Sequence, residues 1–75
     1  MNLLECQKNK RYRIVGITTQ DSQLKNRFLS FGIIVGEEIT LLQHSMKKAT
    51  FSIEIGHAQI ALRAHEAQCV LVNPL

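Results

Sequence analysis

The 75-residue sequence contains little of what disulfide-linked or secreted domains require. It has two cysteines, Cys6 and Cys69, one proline and no tryptophan. Small secreted domains are usually dense in disulfides, so two cysteines near opposite ends without a C-x-x-C motif favour a reducing cytoplasm. The first residues, MNLLECQKNK, lack the basic region and the cleavage site of a signal peptide. We therefore expect a cytoplasmic protein.

Long apolar runs and catalytic patterns are also missing. No uncharged run exceeds nine residues, so we expect no membrane span. A chain of this length predicts one domain, residues 1–75, and leaves no room for a deep, water-free cleft. We place the core of this domain over 10–72. The sequence has no nucleophile with a plausible base, no paired carboxylates and no phosphate-binding loop. We therefore expect a protein that is not an enzyme.

Candidate metal ligands are few and scattered. They are His44, His57, His65, Cys6 and Cys69. A zinc site needs three or four convergent ligands, so exposed turn histidines and a buried thiol are the simpler interpretation. We expect neither a metal nor a cofactor. An iron carrier that uses His57, His65 or Cys69 stays open as a weaker alternative.

Positive charge is concentrated in the amino-terminal third. The formal net charge is +3, and six of the nine Lys and Arg residues precede residue 28. Such a surface suits an acidic protein, a nucleic acid or an anionic membrane, although it also serves simple solubility. The three Phe fall at inward positions, which leaves only Tyr12 near the basic strand. Stacking of bases needs several exposed aromatics, so we keep nucleic-acid binding only as the alternative function.

Periodicity predicts five short strands and one helix. Residues 1–9 form a loose lead-in anchored by Leu3 and Leu4, and residues 64–67 form a turn or a single helical turn. Alternating apolar residues predict strands over residues 10–17, 38–43, 50–55, 57–63 and 68–72, and the 3.6-residue period predicts a helix over 22–31. Strands this short cannot form a sandwich. The fold class is therefore mostly β with one short helix, in a small, partly open barrel.

Glycines punctuate this pattern. Gly32 occupies the position after a helix where a left-handed residue belongs, Gly36 closes the next tight turn, and Gly56 with His57 forms a hairpin turn. Leu24, Phe28 and Phe31 point inward from the helix, and we expect Ile33 and Ile34 to fold back onto its end. Leu29 lies on the outer flank of the helix, which is unusual for a large apolar residue.

The ordered set of these elements resembles the ferrous iron transport protein A family. The matching segments are LKNRFLSFGIIVGEEITLL and FSIEIGHAQIALRAHEAQCVLV, and the likeness covers residues 10–72. The family's proline before the second glycine is Val35 here, the proline before the third strand is Thr50, and His57 stands at the hairpin glycine. These departures affect loop shape and leave the fold expectation intact.

The resemblance implies an SH3-like barrel that assists a large membrane ferrous iron transporter with its own GTP-binding domain, the ferrous iron transport protein B type. The chain would be a regulatory protein, peripheral at the inner membrane face through this partner, and a monomer or a weak homo-oligomer. We predict that the outer helix flank and the first strand contact the partner through Arg11, Arg13, Lys25, Arg27 and Leu29. Leu29 would be the apolar anchor of a small interface.

Overall fold

The computed structural model describes residues 1–75 as a curled antiparallel sheet that carries one short helix. A 3-10 helix at Leu3–Glu5 precedes the first strand. The elements that follow are β1 (Arg11–Ile17), α1 (Ser22–Ser30), β2 (Glu38–His44), β3 (Thr50–Ile55), β4 (Ala58–Arg63), α2 (Ala64–Ala67) and β5 (Val70–Pro74). All five predicted strands and the predicted helix are present, with ends that shift by one or two residues. No helix combines the length and the apolar character needed to cross a bilayer.

The strands are hydrogen-bonded in the order β4-β3-β2-β1-β5. Every neighbouring pair is antiparallel. The register shifts between Ile14 and Gly16 in β1, and again between Leu41 and Gln43 in β2. Such irregularities bend a strand and increase its twist, which lets a short sheet curl around one core. The edges of the sheet are β4 and β5.

One core joins all five strands. It contains 15 buried residues, and the strands supply most of them by strict alternation, as in Phe51, Ile53 and Ile55 of β3. Phe28 is the one residue of α1 that is fully buried. Leu24 and Phe31, which the periodicity also placed inward, are partly buried against this core. The helix therefore contacts the core through a narrow apolar stripe.

The lead-in is more ordered than the sequence suggested. Leu3 is completely buried, and the 3-10 helix that carries it has a reciprocal cap between Asn2 and Glu5. The N–H of Leu4 donates to Oδ1 of Asn2, and the N–H of Asn2 donates to Oε1 of Glu5, both at 2.9 Å. Asn2 also forms an isolated bridge to Leu71. The expectation of a loose segment missed this capping box, whose residue pair was visible in the sequence.

The segment before β5 also differs from the expectation. Gln68 and Cys69 were predicted as the start of the last strand, but they close the short helix α2. The N–H of Gln68 donates to the carbonyl of Ala64, and that of Cys69 donates to the carbonyl of Glu66, each at 3.0 Å. Backbone donors committed to a helical turn cannot also pair with a neighbouring strand. The strand therefore begins at Val70.

Candidate functional site: an apolar groove beside a capped helix

Helix α1 is held at both ends by local hydrogen bonds. Oδ1 of Asp21 accepts from the N–H groups of Gln23 and Leu24 at the start of the helix. At the other end the N–H of Ile33 donates to the carbonyl of Phe28 at 2.9 Å, and the N–H of Gly32 donates to that of Leu29 at 3.0 Å. This pair of bonds is a Schellman motif, and it requires the left-handed φ of +81° that Gly32 adopts.

The apolar contact that accompanies this motif turns the chain back over the helix. Ile33 and Phe28 are each 1% exposed, so the residue after Gly32 packs into the core beside the last turn of α1. The expectation that Ile33 folds back is confirmed. Ile34, which was expected to do the same, is 45% exposed. One turn of chain cannot direct two successive side chains to the same side, so the second apolar residue faces outward.

A second tight turn fixes the outward residues in place. The N–H of Glu37 donates to the carbonyl of Ile34 at 3.0 Å, and Gly36 has a φ of +99°. Because Val35 has a negative φ, this is a type II turn with glycine at its third position. The N–H of Gly36 donates to the carbonyl of Ile14 at 2.8 Å, which ties the turn to β1. The predicted structural roles of Gly32 and Gly36 follow from these bonds.

The capped helix and the tied turn enclose an apolar groove. Its volume is about 280 Å³, and Lys25 is its one charged lining residue. The other lining residues are Ile17, Phe28, Leu29, Ile33, Ile34 and Val35. Leu29 and Val35 are each 57% exposed on its rims. Three large apolar side chains that protrude together around one cleft are typical of a binding surface, whereas single exposed ones are ordinary.

The structure brings together only two of the five residues predicted to contact a partner. Lys25 and Leu29 both line the groove. Arg11 and Arg13 lie on β1, where both reach Glu38 on the neighbouring strand, at 3.5 Å and 3.4 Å. Both ion pairs are well exposed to solvent, so the two arginines remain hydrated and the pairs add little to stability.

Arg27 points away from the groove and pairs with a buried carboxylate. Its Nη1 lies 2.7 Å from Oε2 of Glu66, whose side chain is 3% exposed. The other carboxylate oxygen of Glu66 accepts from the N–H of Arg63 at 2.9 Å. The Arg27 guanidinium also lies 5.5 Å from the centre of the Phe31 ring. Arg27 therefore links α1 to α2, a contact that no sequence spacing revealed.

The candidate metal ligands do not converge. No group of three His, Cys, Asp or Glu side chains is placed so that it could hold a metal ion. Sγ of Cys69 lies 3.4 Å from the carbonyl oxygen of His65, a contact within one turn of chain. Cys6 is buried, and this burial, with the nearby charge of Glu5, raises the pKa of its thiol to about 11. A thiol with so high a pKa is a poor metal ligand near neutral pH.

These features define a class of protein: a small β barrel that carries an apolar groove of binding character beside a capped helix. Comparison with known proteins identifies the particular family. The FeoA domain family model matches residues 1–74. A Helicobacter pylori J99 protein named Fe(2+) transport protein A is 56% identical over 73 residues, covering 97% of this chain and 94% of the relative. The chain belongs to the FeoA domain family.

Solved structures confirm the SH3-like fold. The chain superposes with a TM-score of 0.92 on iron(II) transport protein A from Clostridium thermocellum, at 25% identity. The match covers all of this chain and 46% of the Clostridium chain. It also superposes with a TM-score of 0.84 on FeoA from Stenotrophomonas maltophilia, at 21% identity, covering 97% and 89% of the two chains. That protein is described as a prokaryotic SH3 domain protein complexed with zinc. The predicted fold class and family are therefore confirmed.

Proposed function

We propose that this chain is a cytoplasmic accessory protein of a ferrous iron uptake system, and that it binds the membrane ferrous iron transporter of the ferrous iron transport protein B type. It acts as a single binding module of residues 1–75 and has no catalytic step of its own. The name of its H. pylori relative supports the link to Fe(2+) transport. The groove beside α1 is the contact surface.

The observation that carries this proposal is an apolar groove whose walls are hydrogen-bonded turns. Its walls are held by the Schellman motif and by the type II turn, so partner binding need not order a flexible loop. Leu29 is the central anchor, and Lys25 offers a positive charge at the rim to an acidic group of the partner. Arg11 and Arg13 supply long-range attraction only, because they lie outside the groove.

The test compares two leucines that are equally exposed. Leu29 is 57% exposed in the groove, and Leu75 is 58% exposed at the carboxyl terminus. Each is changed to Glu, and the affinity of the purified chain for full-length transporter in detergent is measured by biolayer interferometry. We expect Leu29→Glu to weaken binding at least tenfold, as removal of a central anchor does. Leu75→Glu should leave the affinity within about twofold of the wild type, because it removes no anchor.

Circular dichroism establishes that both variants stay folded, which is expected because neither leucine is buried. Equal affinities of the two variants would show that the groove is not the contact surface. The absence of any binding by the wild type, or recovery of nucleic acid in place of the transporter when the tagged chain is purified from its own cells, would contradict the function itself.

A further inference from the structure

The tip of the β2–β3 hairpin presents an apolar side chain that contacts nothing in the fold. Met46 is fully exposed, the most exposed of the large apolar residues. Lys47 and Lys48 follow it, and both are exposed. Neither lysine has an ion-pair partner. The fold therefore gains no packing and no charge neutralisation from these three side chains.

The tip is a defined turn whose geometry is set by Ser45. Oγ of Ser45 accepts from the N–H groups of Ala49 and Thr50 at 2.9 Å and 3.2 Å. The N–H of Lys48 donates to the carbonyl of Ser45 at 2.9 Å. Lys48 has a φ of +53°, a left-handed conformation that glycine or asparagine adopts at lower cost. A lysine stands at this position although the turn itself favours a smaller residue.

Charge is segregated along the sheet. No acidic residue occurs between Glu38 and Glu54, the segment that contains the tip. Arg63 at the end of β4 pairs with Thr50, directly beside the turn, and it is exposed. Three acidic side chains, Glu37, Glu38 and Glu54, lie instead around a cleft at the opposite end of the β2–β3 hairpin, where Arg11 also lines the cleft and pairs with Glu38. The end of the molecule that carries the tip is therefore positively charged, and it also exposes the apolar side chain of Met46.

We propose that this basic tip, formed by Met46, Lys47, Lys48 and Arg63, docks on the surface of an anionic phospholipid bilayer. The ammonium groups pair with lipid phosphates, and the Met46 side chain enters the headgroup region between them. Basic residues around an apolar side chain are the combination that binds anionic membrane surfaces. A lipid surface fits better than a nucleic acid, because Tyr12, Phe28 and Phe51 are buried and no aromatic platform is left for stacking bases.

The position of the tip lets membrane contact and partner binding occur together. The groove turn directly precedes β2, and the tip directly follows it. A strand of seven residues separates the two, which corresponds to about 20 Å. The basic tip can therefore rest on a bilayer while the groove stays open to a protein.

The test measures the partition coefficient of the full chain on vesicles by co-sedimentation. One set of vesicles contains phosphatidylcholine alone, and the other contains phosphatidylcholine with about 30 mol% of the anionic lipid phosphatidylglycerol. We expect binding to the anionic vesicles only, with loss at high salt. Each lysine contributes about a fivefold change, so Lys47→Gln with Lys48→Gly should lower the coefficient about 25-fold. Glycine suits the left-handed position, so this variant keeps its fold. Met46→Ser should lower binding about fivefold without any change in charge.

A matched control removes the same two charges from elsewhere. Lys25→Gln with Arg13→Gln leaves the tip intact, and we expect binding within about twofold of the wild type, because these charges do not face the bilayer. An equal loss of vesicle binding in the tip and control variants would show that binding depends only on the net charge of the protein, and it would overturn the proposal. Failure of the wild type to bind anionic vesicles would overturn it too, as would tighter binding to an RNA oligonucleotide that Met46→Ser does not weaken.

Discussion

The pair of Arg27 and Glu66 should be worth more than any other ion pair of this protein. Glu66 is almost completely buried, and its carboxylate has two partners, the N–H of Arg63 and the Arg27 guanidinium. Removal of one partner of a buried pair leaves a carboxylate without its counter-charge, which costs about 3–5 kcal/mol when both groups are buried. The Arg27 side chain is 50% exposed, so water can partly replace it. We therefore expect Arg27→Met to lower the free energy of unfolding by about 2 kcal/mol.

That loss is large for so small a protein. A chain of this length has a total stability of about 4–11 kcal/mol. A loss of about 2 kcal/mol should lower the melting temperature by about 8–16 °C. Methionine keeps the apolar stem of arginine, so the change removes the charge and retains most of the packing. Urea denaturation followed by far-ultraviolet circular dichroism measures the difference directly.

Arg13→Met is the control for this experiment. Arg13 lies 3.4 Å from Glu38, but the two side chains are 51% and 43% exposed. Exposed pairs contribute little, so we expect a loss of at most about 0.5 kcal/mol. The double variant Arg27→Met with Glu66→Gln should be more stable than Arg27→Met alone, because no buried charge is left unpaired. Equal losses in Arg27→Met and Arg13→Met would refute the reasoning.

Two further predictions concern the groove turn and the buried thiol. Val35→Pro should leave the fold intact and raise stability by up to about 1 kcal/mol in urea denaturation, since proline suits the second position of a type II turn; a loss of stability would contradict the assigned turn. The high pKa of Cys6 should protect it from alkylation at pH 8, so mass spectrometry should find only Cys69 modified, and early labelling of Cys6 would argue against its burial. The folded state favours the neutral Cys6 thiol, because its pKa is higher there than in the unfolded chain. The contribution of this thiol to the free energy of unfolding should therefore be complete below about pH 9.0 and be lost as the pH rises towards about 11.

The groove shows how far local patterns lead towards a site. The sequence predicts Gly32 and Gly36 as turn residues, because glycine adopts left-handed conformations at little cost. Both glycines have a positive φ in the structure. Leu29 is visible as an apolar residue off the inward stripe of α1. Lys25 and Leu29 lie four residues apart on one face of α1. That they share a cleft with Ile34 and Val35 depends on where the turn is tied to β1, through the bond between Gly36 and Ile14. Gly36 and Ile14 are far apart in the sequence, so a local pattern cannot predict the bond between them.

The basic residues divide for the same reason. Composition alone placed Arg11, Arg13, Lys25 and Arg27 on one charged surface, but the fold gives Arg27 a different partner from Arg11 and Arg13, and Lys25 no ion pair. Strand pairing brings Glu38 to Arg11 and Arg13, and the fold brings Glu66 of α2 within reach of Arg27 of α1. A charge count contains no information on these neighbours, because ion pairs form between groups that the fold brings within a few ångströms.

Local sequence patterns predicted the five strands, helix α1, the fold class and the family, but they missed the 3-10 helix at Leu3–Glu5. Period-2 alternation, one helical stripe and two glycine turns are short-range features, since each depends on residues within one strand or one turn of chain. The arrangement of the elements in space showed that Glu66 is buried with Arg27, and that Arg63 lies beside the turn that carries Met46, Lys47 and Lys48. These facts join residues far apart in the chain, and only the curl of the sheet and its strand order bring them together.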